Sequence, residues 1–335
     1  MRELLDRILD GGNLDVDEAD SLLRALAGGR VDPVQAGALL AGLRAKGETA
    51  EELRGLARAM RALAVRPDIA ADLPIVDTCG TGGDGSHSLN LSTGAALLAA
   101  ACGALVVKHG NRSVSSRSGS ADVLEKLGVP LGDGAADPAE RLNRTGFTFL
   151  FAPSHHPAMK AIMPVRRAMG VRTVFNVLGP LSNPVRPPFQ VIGAWSEPVA
   201  AKMAEALSGL GIQRAFVVHG AEGWDEATPV GPFVRFEVRP GEVRREVIDP
   251  RDVGIPRCEP AALLGGEADE NASRLLAALR GGDTRAHRSA LALGAGLALE
   301  VCGIAGDLSE GVERARSALE AGRGAGALGI AGGAG

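Results

Sequence analysis

An α/β protein is predicted, with a small all-helical domain ahead of a larger domain whose mostly parallel sheet is covered by helices. Three observations predict it. Over the first 70 residues apolar side chains recur at three- and four-residue spacing, the period of helices with one buried stripe. From Ile75 onward, short apolar and β-branched runs alternate with Ala- and Leu-rich stretches of helical length, the grammar of a parallel sheet with helical connections. A glycine-rich turn from Gly80 to Gly85 joins the first such run to the first such stretch.

Taken in order, Asp15 precedes VDEADSLLRAL, Asp32-Pro33 opens PVQAGALLAGLRA, and Thr49-Ala-Glu-Glu52 is a capping box before LRGLARAMRAL, each a helix start. Such a unit has more apolar stripes than it can bury alone, so it is expected to pack on the rest of the chain or on a second subunit. At Asp72-Leu-Pro74 the pattern changes. Ile75-Val76 begins a strand, Ser92 to Cys102 reads as a helix, and Ala104 to Val107 as a second strand ending at Lys108. Further strands are expected at Phe147–Phe151, Val171–Phe175, Gln190–Trp195, Ala215–His219, Val234–Val238 and Val243–Ile248. Helices are expected at Pro198–Leu210, Glu267–Arg280, Thr284–Val301 and Ser309–Ala321. The organisation is therefore a helical domain over 1–70, an α/β domain over 72–325, and a low-complexity tail over 326–335 that frays.

The 335 residues include 36 Lys+Arg and 40 Asp+Glu, for a net charge of −4, and 45% are hydrophobic. This is enough apolar content for a sizeable core and excludes disorder over most of the chain. The slight negative charge, without a basic block, argues against nucleic acid as a partner. The N-terminus, MRELLDRILDGGNLDVDEAD, has acids where a signal peptide needs an apolar core. The longest apolar run, Ala95 to Val107, falls short of the roughly 20 residues that span a bilayer. Cys79, Cys102, Cys258 and Cys302 form no CxxC pair, so neither a zinc knuckle nor a disulfide framework is indicated. A cytoplasmic protein with no membrane association is expected.

The turn Gly80-Thr-Gly82-Gly-Asp-Gly85 fits GxGxxG, the pattern of a dinucleotide site. That site needs an acidic residue at the end of the second strand. Here the second strand ends in Lys108-His109-Gly110-Asn111-Arg112, which suits phosphate instead. Asp84 would repel an anion unless it meets ribose hydroxyls or a metal. Asn90-Leu91-Ser92-Thr93 offers hydroxyls and free N–H groups where a helix begins. Arg112 to Ser120 is a hydroxyl-rich loop with two cations. The two loops describe a site for a highly phosphorylated small molecule. Downstream, His155-His156-Pro-Ala-Met159-Lys160 lacks HExxH spacing and is no zinc motif, and the Arg166-Arg167 pair would ordinarily be a solvated helix face. Asp225-Glu226 follows a strand and suits Mg²⁺, although a lone acidic pair is more often surface decoration.

With these residues in view, the sequence resembles the anthranilate phosphoribosyltransferases. DTCGTGGDG, KHGNRSVSSRSGSADVLEKLGVP, FLFAPSHHPAMKAIMPVRRAMGVRTVFNVLGPLSNP and VVHGAEGWDE match that family's landmarks in order, over about residues 1 to 325. The resemblance implies transfer of a phosphoribosyl group from phosphoribosyl pyrophosphate to the amine of anthranilate, in tryptophan biosynthesis, with Mg²⁺ and a homodimer. It also implies that a later segment, about 159–187, packs on the helical domain, with the active site in the cleft between the domains. Pyrimidine nucleoside phosphorylases share the fold but lack the KHGNRSVSS wording. They remain an alternative, as does a non-catalytic phosphosugar- or nucleic-acid-binding paralogue.

Carried over residue by residue, the resemblance assigns the donor to Gly80, Gly83, Asp84, Ser88, Asn90, Leu91, Ser92 and Thr93. It adds Lys108, His109, Gly110, Asn111, Arg112, Ser113, Val114, Ser115 and Ser116, with Ser120. Ser88 stands where the family usually has Thr and keeps the hydroxyl. Anthranilate falls to Gly80, Asn111 and Arg166, with His109, His156, Gly179 and Pro180 lining its site. Metal contacts fall on Ser92, Asp225 and Glu226. Trp224 replaces the family's usual Leu, with a reshaped pocket wall as the expected consequence. No residue is assigned as general base.

Overall fold

The computed structural model describes residues 1–113, 117–131 and 137–329. Four helices open the chain: α1 (Arg2–Leu9), α2 (Val16–Ala27), α3 (Pro33–Lys46) and α4 (Ala50–Leu63). Their starts are fixed by the side chains that the sequence marked. Asp15 accepts from the N–H groups of Asp17 and Glu18 while Glu18 reaches back to Asp15, and Thr49 and Glu52 form the same reciprocal box, which satisfies amides that a helix end leaves open. Asp32 caps α3 with Pro33 in its first turn.

The larger part follows as β1 (Ile75–Gly80), α5 (Leu91–Ala101), β2 (Leu105–Gly110), α6 (Ser120–Lys126), α7 (Pro138–Thr145) and β3 (Phe147–Phe151). Three short helices come next: α8 (Ala152–His155), α9 (Met163–Met169) and α10 (Phe175–Leu181). The chain then returns to the sheet with β4 (Phe189–Gly193), α11 (Glu197–Ser208), β5 (Arg214–His219), β6 (Phe233–Arg239) and β7 (Glu242–Ile248). It closes with α12 (Ala268–Leu279), α13 (Arg285–Val301) and α14 (Leu308–Glu320).

The seven strands lie in the order β3-β2-β1-β4-β5-β6-β7. The first five pair parallel and the last two antiparallel. Side chains alternate across the sheet, so each strand feeds two cores. Val191, Phe216 and Val218 join α5, α12, α13 and α14 on one face. Ile192, Ala215 and Val217 join α11, the N-terminal helices and α10 on the other. The surplus stripes of α1–α4 are thus largely absorbed within the chain, with Val174, Phe175, Leu178 and Leu181 in the same core.

Two expectations are corrected. Residues 171–175 form no strand. Val174 and Phe175 point into the helical core, and the Thr173 N–H donates to Asn176 Oδ1 at 2.9 Å, which turns the chain into α10 instead of extending it. The tail does not fray from 326 either. Arg323–Leu328 is a 3₁₀ helix that buries Ala327 and Leu328, and Leu328 O accepts from Arg141 at 3.0 Å. Residues 330–335 lie outside the described residues.

Candidate active site

Between β1 and β4 the strand order reverses direction, and in open α/β sheets ligands bind beyond the carboxyl ends of the strands at such a point. Gly80 and Gly193 are the last residues of those two strands, and the segment after β5 lies directly across both. A Cβ on Gly80 would come within 2.5 Å of Asp225 Oδ2, and one on Gly193 would overlap the Asp225 backbone. Gly193 therefore requires glycine for close approach, and a side chain at Gly80 would push the Asp225 carboxylate aside. Asp225 Oδ2 accepts from the Gly82 N–H at 2.6 Å, and its own N–H reaches Asp84 Oδ2 at 3.3 Å.

Glu226 Oε1 takes the Ser92 N–H, 3.3 Å away in the first turn of α5. Lys108 comes from β2, only 2% exposed, and its Nζ donates to Thr78 O and to Ser92 Oγ, the latter at 3.3 Å. Three carboxylates and one buried ammonium therefore meet where the glycine turn joins α5. Burial and the charge of Asp84 raise Asp225 to about 7, and burial with Asp225 and Asp84 pushes Glu226 well up. Lys108 opposes the shift at Glu226 without cancelling it. The oxygens of both acids, with the Ser92 hydroxyl, suit a hard divalent ion. Among the described residues no three His, Cys, Asp or Glu side chains converge as a closed cage, and Mg²⁺ is characteristically held by one or two carboxylates plus substrate phosphates.

A second side of the cleft is built by β2 and the segment after β3. His109 and His156 are buried with ring centroids 5.1 Å apart. Burial lowers His109 to about 3 and His156 to about 4, so both are neutral imidazoles near pH 7. Beneath them Asp77, fully buried, accepts from the His109 N–H and from Asn183 Nδ2 at 2.9 Å. Arg166 is half-buried on α9, its guanidinium 4.7 Å from the Phe175 ring, and no carboxylate among the described residues pairs with it. Arg167 is exposed. Gly179 and Pro180 sit within α10.

Other predicted donor residues are placed differently. Asn90 precedes α5, but its side chain bonds Ser118 and Asn271, so it braces the loop. Leu91 is buried in the core, and Thr93 Oγ1 is buried with no hydrogen-bond partner among the described residues. Ser88 bridges to Leu264. The Arg112 guanidinium is held by Asp122 and Glu125 at 2.9 Å each, so it is not a free cation in this structure. Ser120 Oγ donates to Asn111 O, while Asn111 itself is exposed and Ser113 bonds Asp122 through its N–H. Val114, Ser115 and Ser116 lie outside the described residues. Trp224 is buried in the larger core, where packing absorbs its bulk. Sequence reasoning assigned no role to Asp77, Asn183 or Asn271; the first two lie inside the DTCGTGGDG and FNVLGPLSNP landmarks, which could have found them, whereas Asn271 sits in the polar stretch EADENAS, where nothing sets it apart.

Comparison with known proteins finds relatives along nearly the whole chain. Residues 2–64 match the glycosyl transferase family helical bundle domain and residues 72–325 its a/b domain. Anthranilate phosphoribosyltransferases of Prochlorococcus marinus and Desulforudis audaxviator are each 47% identical, covering 96% of this chain and 91% and 92% of theirs. The crystal structure of the Thermus thermophilus anthranilate phosphoribosyltransferase superposes with a TM-score of 0.91 at 43% identity, covering 97% of each chain. The Saccharomyces cerevisiae enzyme, solved in complex with PRPP and Mg, gives 0.87 at 25% identity over 98% of this chain and 95% of that one.

Proposed function

The chain belongs to the anthranilate phosphoribosyltransferase family, and from that membership and the cleft we infer its reaction. It transfers the phosphoribosyl group of phosphoribosyl pyrophosphate to the amine of anthranilate, giving N-(5-phosphoribosyl)anthranilate and pyrophosphate, in tryptophan biosynthesis. One observation carries the reading. A buried lysine and three carboxylates meet at the strand-order reversal, and α9 brings an arginine with no acidic partner among the described residues.

We propose the division of labour as follows. The turn from Gly80 to Asp84, the first turn of α5 and Lys108 hold the donor's phosphates through backbone N–H groups and charge-assisted hydrogen bonds. Asp225 and Glu226, with Ser92, hold Mg²⁺, which when bound offsets charge on the departing pyrophosphate. Breaking the bond from ribose C1 leaves an electron-poor sugar, and Lys108 stabilises the leaving group through a fixed ammonium in a dry site. The guanidinium of Arg166 grips the anthranilate carboxylate with its planar fork. Asn111 aligns the amine on C1, an orientation worth several kcal/mol of barrier. That amine is neutral near pH 7, so it needs orientation more than deprotonation, and no general base is assigned. The neutral rings of His109 and His156, with Gly179 and Pro180, offer the acceptor ring a weakly polar wall. A cytoplasmic homodimer is the proposed setting.

The direct test mixes the protein with anthranilate, phosphoribosyl pyrophosphate and Mg²⁺ and follows the loss of anthranilate fluorescence. Loss that requires all three components is expected. Release of free base from a pyrimidine nucleoside and phosphate, with anthranilate untouched, would overturn the reading.

A further inference from the structure

The glycine turn after β1 is tied at successive residues. The Thr81 N–H donates to Gly193 O at 3.0 Å, and Thr81 Oγ1 accepts from the Trp195 N–H at 3.3 Å. Gly82 donates to Asp225, and Asp84 accepts from the Ser86 N–H and hydroxyl at 3.0 and 2.9 Å. Between them, the Gly83 peptide has one hydrogen-bond partner among the described residues, the Arg172 guanidinium, which donates to its carbonyl. Gly83 has φ +72°, and a Cβ there would lie 3.1 Å from Arg172 Nη2.

Arg172 belongs to neither the sheet nor the turn. It lies between α9 and α10, in the segment that packs against the helical domain. Its guanidinium lies 4.8 Å from the Trp195 ring, and its own carbonyl accepts from Arg44 Nη1 of α3 at 2.8 Å. No carboxylate among the described residues pairs with Arg172. Arg44, Arg172 and Trp195 line a recess of about 240 Å³, which leaves the side chain room to withdraw. A continuous set of contacts thus runs from α3 through Arg172 to the turn.

We propose that Arg172 is a positioning residue for the phosphoribosyl donor. It holds the Gly83 peptide in the left-handed conformation that presents the Gly83 and Asp84 N–H groups to the pyrophosphate, and it links that conformation to the seating of the helical domain. The inference rests on reading this turn as the donor site. A guanidinium can lie flat on an indole while donating in its own plane, whereas an ammonium cannot do both.

Calorimetric titration with phosphoribosyl pyrophosphate and Mg²⁺, without acceptor, reads the donor Kd directly. Arg172→Ala is expected to weaken it about tenfold, Arg172→Lys to recover only part, and Arg44→Ala to weaken it less in the same direction. The KM for anthranilate at saturating donor, and the Tm, stay unchanged. An unaltered donor Kd in Arg172→Ala, full recovery by Lys, or equal rises in both KM values with a lowered Tm would overturn the proposal. A wild-type protein that binds the donor yet leaves anthranilate untouched would overturn the proposed reaction and leave the Arg172 comparison readable.

Discussion

Arg166 and Arg167 are neighbours in sequence with opposite surroundings, one half-buried over Phe175 and the other exposed. Arg166→Ala is expected to raise the KM for anthranilate while leaving donor binding nearly unchanged, because anthranilate meets the donor's ribose C1 on the side away from the departing pyrophosphate. A charge-assisted contact to a carboxylate is worth about 1.5–3 kcal/mol, so the rise is roughly tenfold to a hundredfold. Steady-state kinetics with Arg167→Ala as control checks it, and equal effects at both positions would reject the assignment. The paired imidazoles give a second expectation. His109 and His156 sit at about 3 and 4 when folded, against 6.5 for a free ring. Below about pH 6.5 the unfolded chain takes up protons that the folded chain refuses, so stability present above that pH is lost as it falls towards 4. The slope is at most about 1.4 kcal/mol per pH unit for each ring. Lys108 and His155 add positive charge beside them. Asp77 works the other way, since burial raises it from 3.8 to about 6, and it offsets part of one ring's effect in that window. Melting curves should show His156→Asn losing less Tm between pH 7 and 5 than the wild type. An equal loss would mean the ring contributes nothing. The pairing of the two rings was not legible in the sequence, where His155-His156 lacked a zinc motif's spacing and the resemblance placed His109 and His156 only as lining of the anthranilate site. Arg166 was legible through resemblance alone, because composition makes a helix-borne arginine a surface residue.

At the scale of elements, the sequence announced what repeats and what caps. Asp15, Asp32 and Thr49 start helices as their chemistry demands, and the alternating runs give β3 and β5–β7 close to their expected bounds. The stretch 171–175 misled because β-branched residues mark burial as readily as strand, and here Val174 and Phe175 bury against helices. The acidic pair was legible as an Asp-Glu dipeptide after a strand, but its meaning comes from Gly80 and Gly193, which let the segment after β5 cross two strand ends. Gly193→Ala should therefore displace Asp225 and cost at least about 1–3 kcal/mol of stability, as overpacking of a close contact does, and denaturant titration reads it. Asp225→Asn with Glu226→Gln keeps the shape and removes the charge. Turnover should fall sharply and demand more Mg²⁺, while anthranilate binding measured by calorimetry stays nearly intact. Normal turnover of the double variant at limiting Mg²⁺ would show that the pair does not act through metal.

The whole molecule raises the question of where the helical unit's remaining apolar surface goes. Most of it is accounted for within the chain, since α4 packs on α11 and α1–α4 share one core with a face of the sheet. Arg61 fastens this arrangement, donating from α4 to Leu181 O at 2.6 Å and Leu210 O at 2.9 Å. Val65, after α4, is exposed, but the two most exposed large apolar side chains of the unit are on α1 and α3, which contact each other. Leu9 is 64% and Val34 82% exposed, with Leu4 and Leu5 only partly buried. Isolated exposed apolar residues are ordinary on a monomer, so the inference of a dimer leans on family resemblance, with these side chains as its physical handle. Burying both side chains against a second copy removes a few hundred Å² of apolar surface from water, worth several kcal/mol at about 25 cal/mol per Å², and rim contacts would add to it. Light scattering at micromolar concentration should report twice the 34.3 kDa chain mass. Leu9→Lys with Val34→Glu should shift the protein to monomer while its circular dichroism and the Tm of the α/β part are kept. A wild-type monomer, or a double variant that stays dimeric, would place the interface elsewhere or remove it.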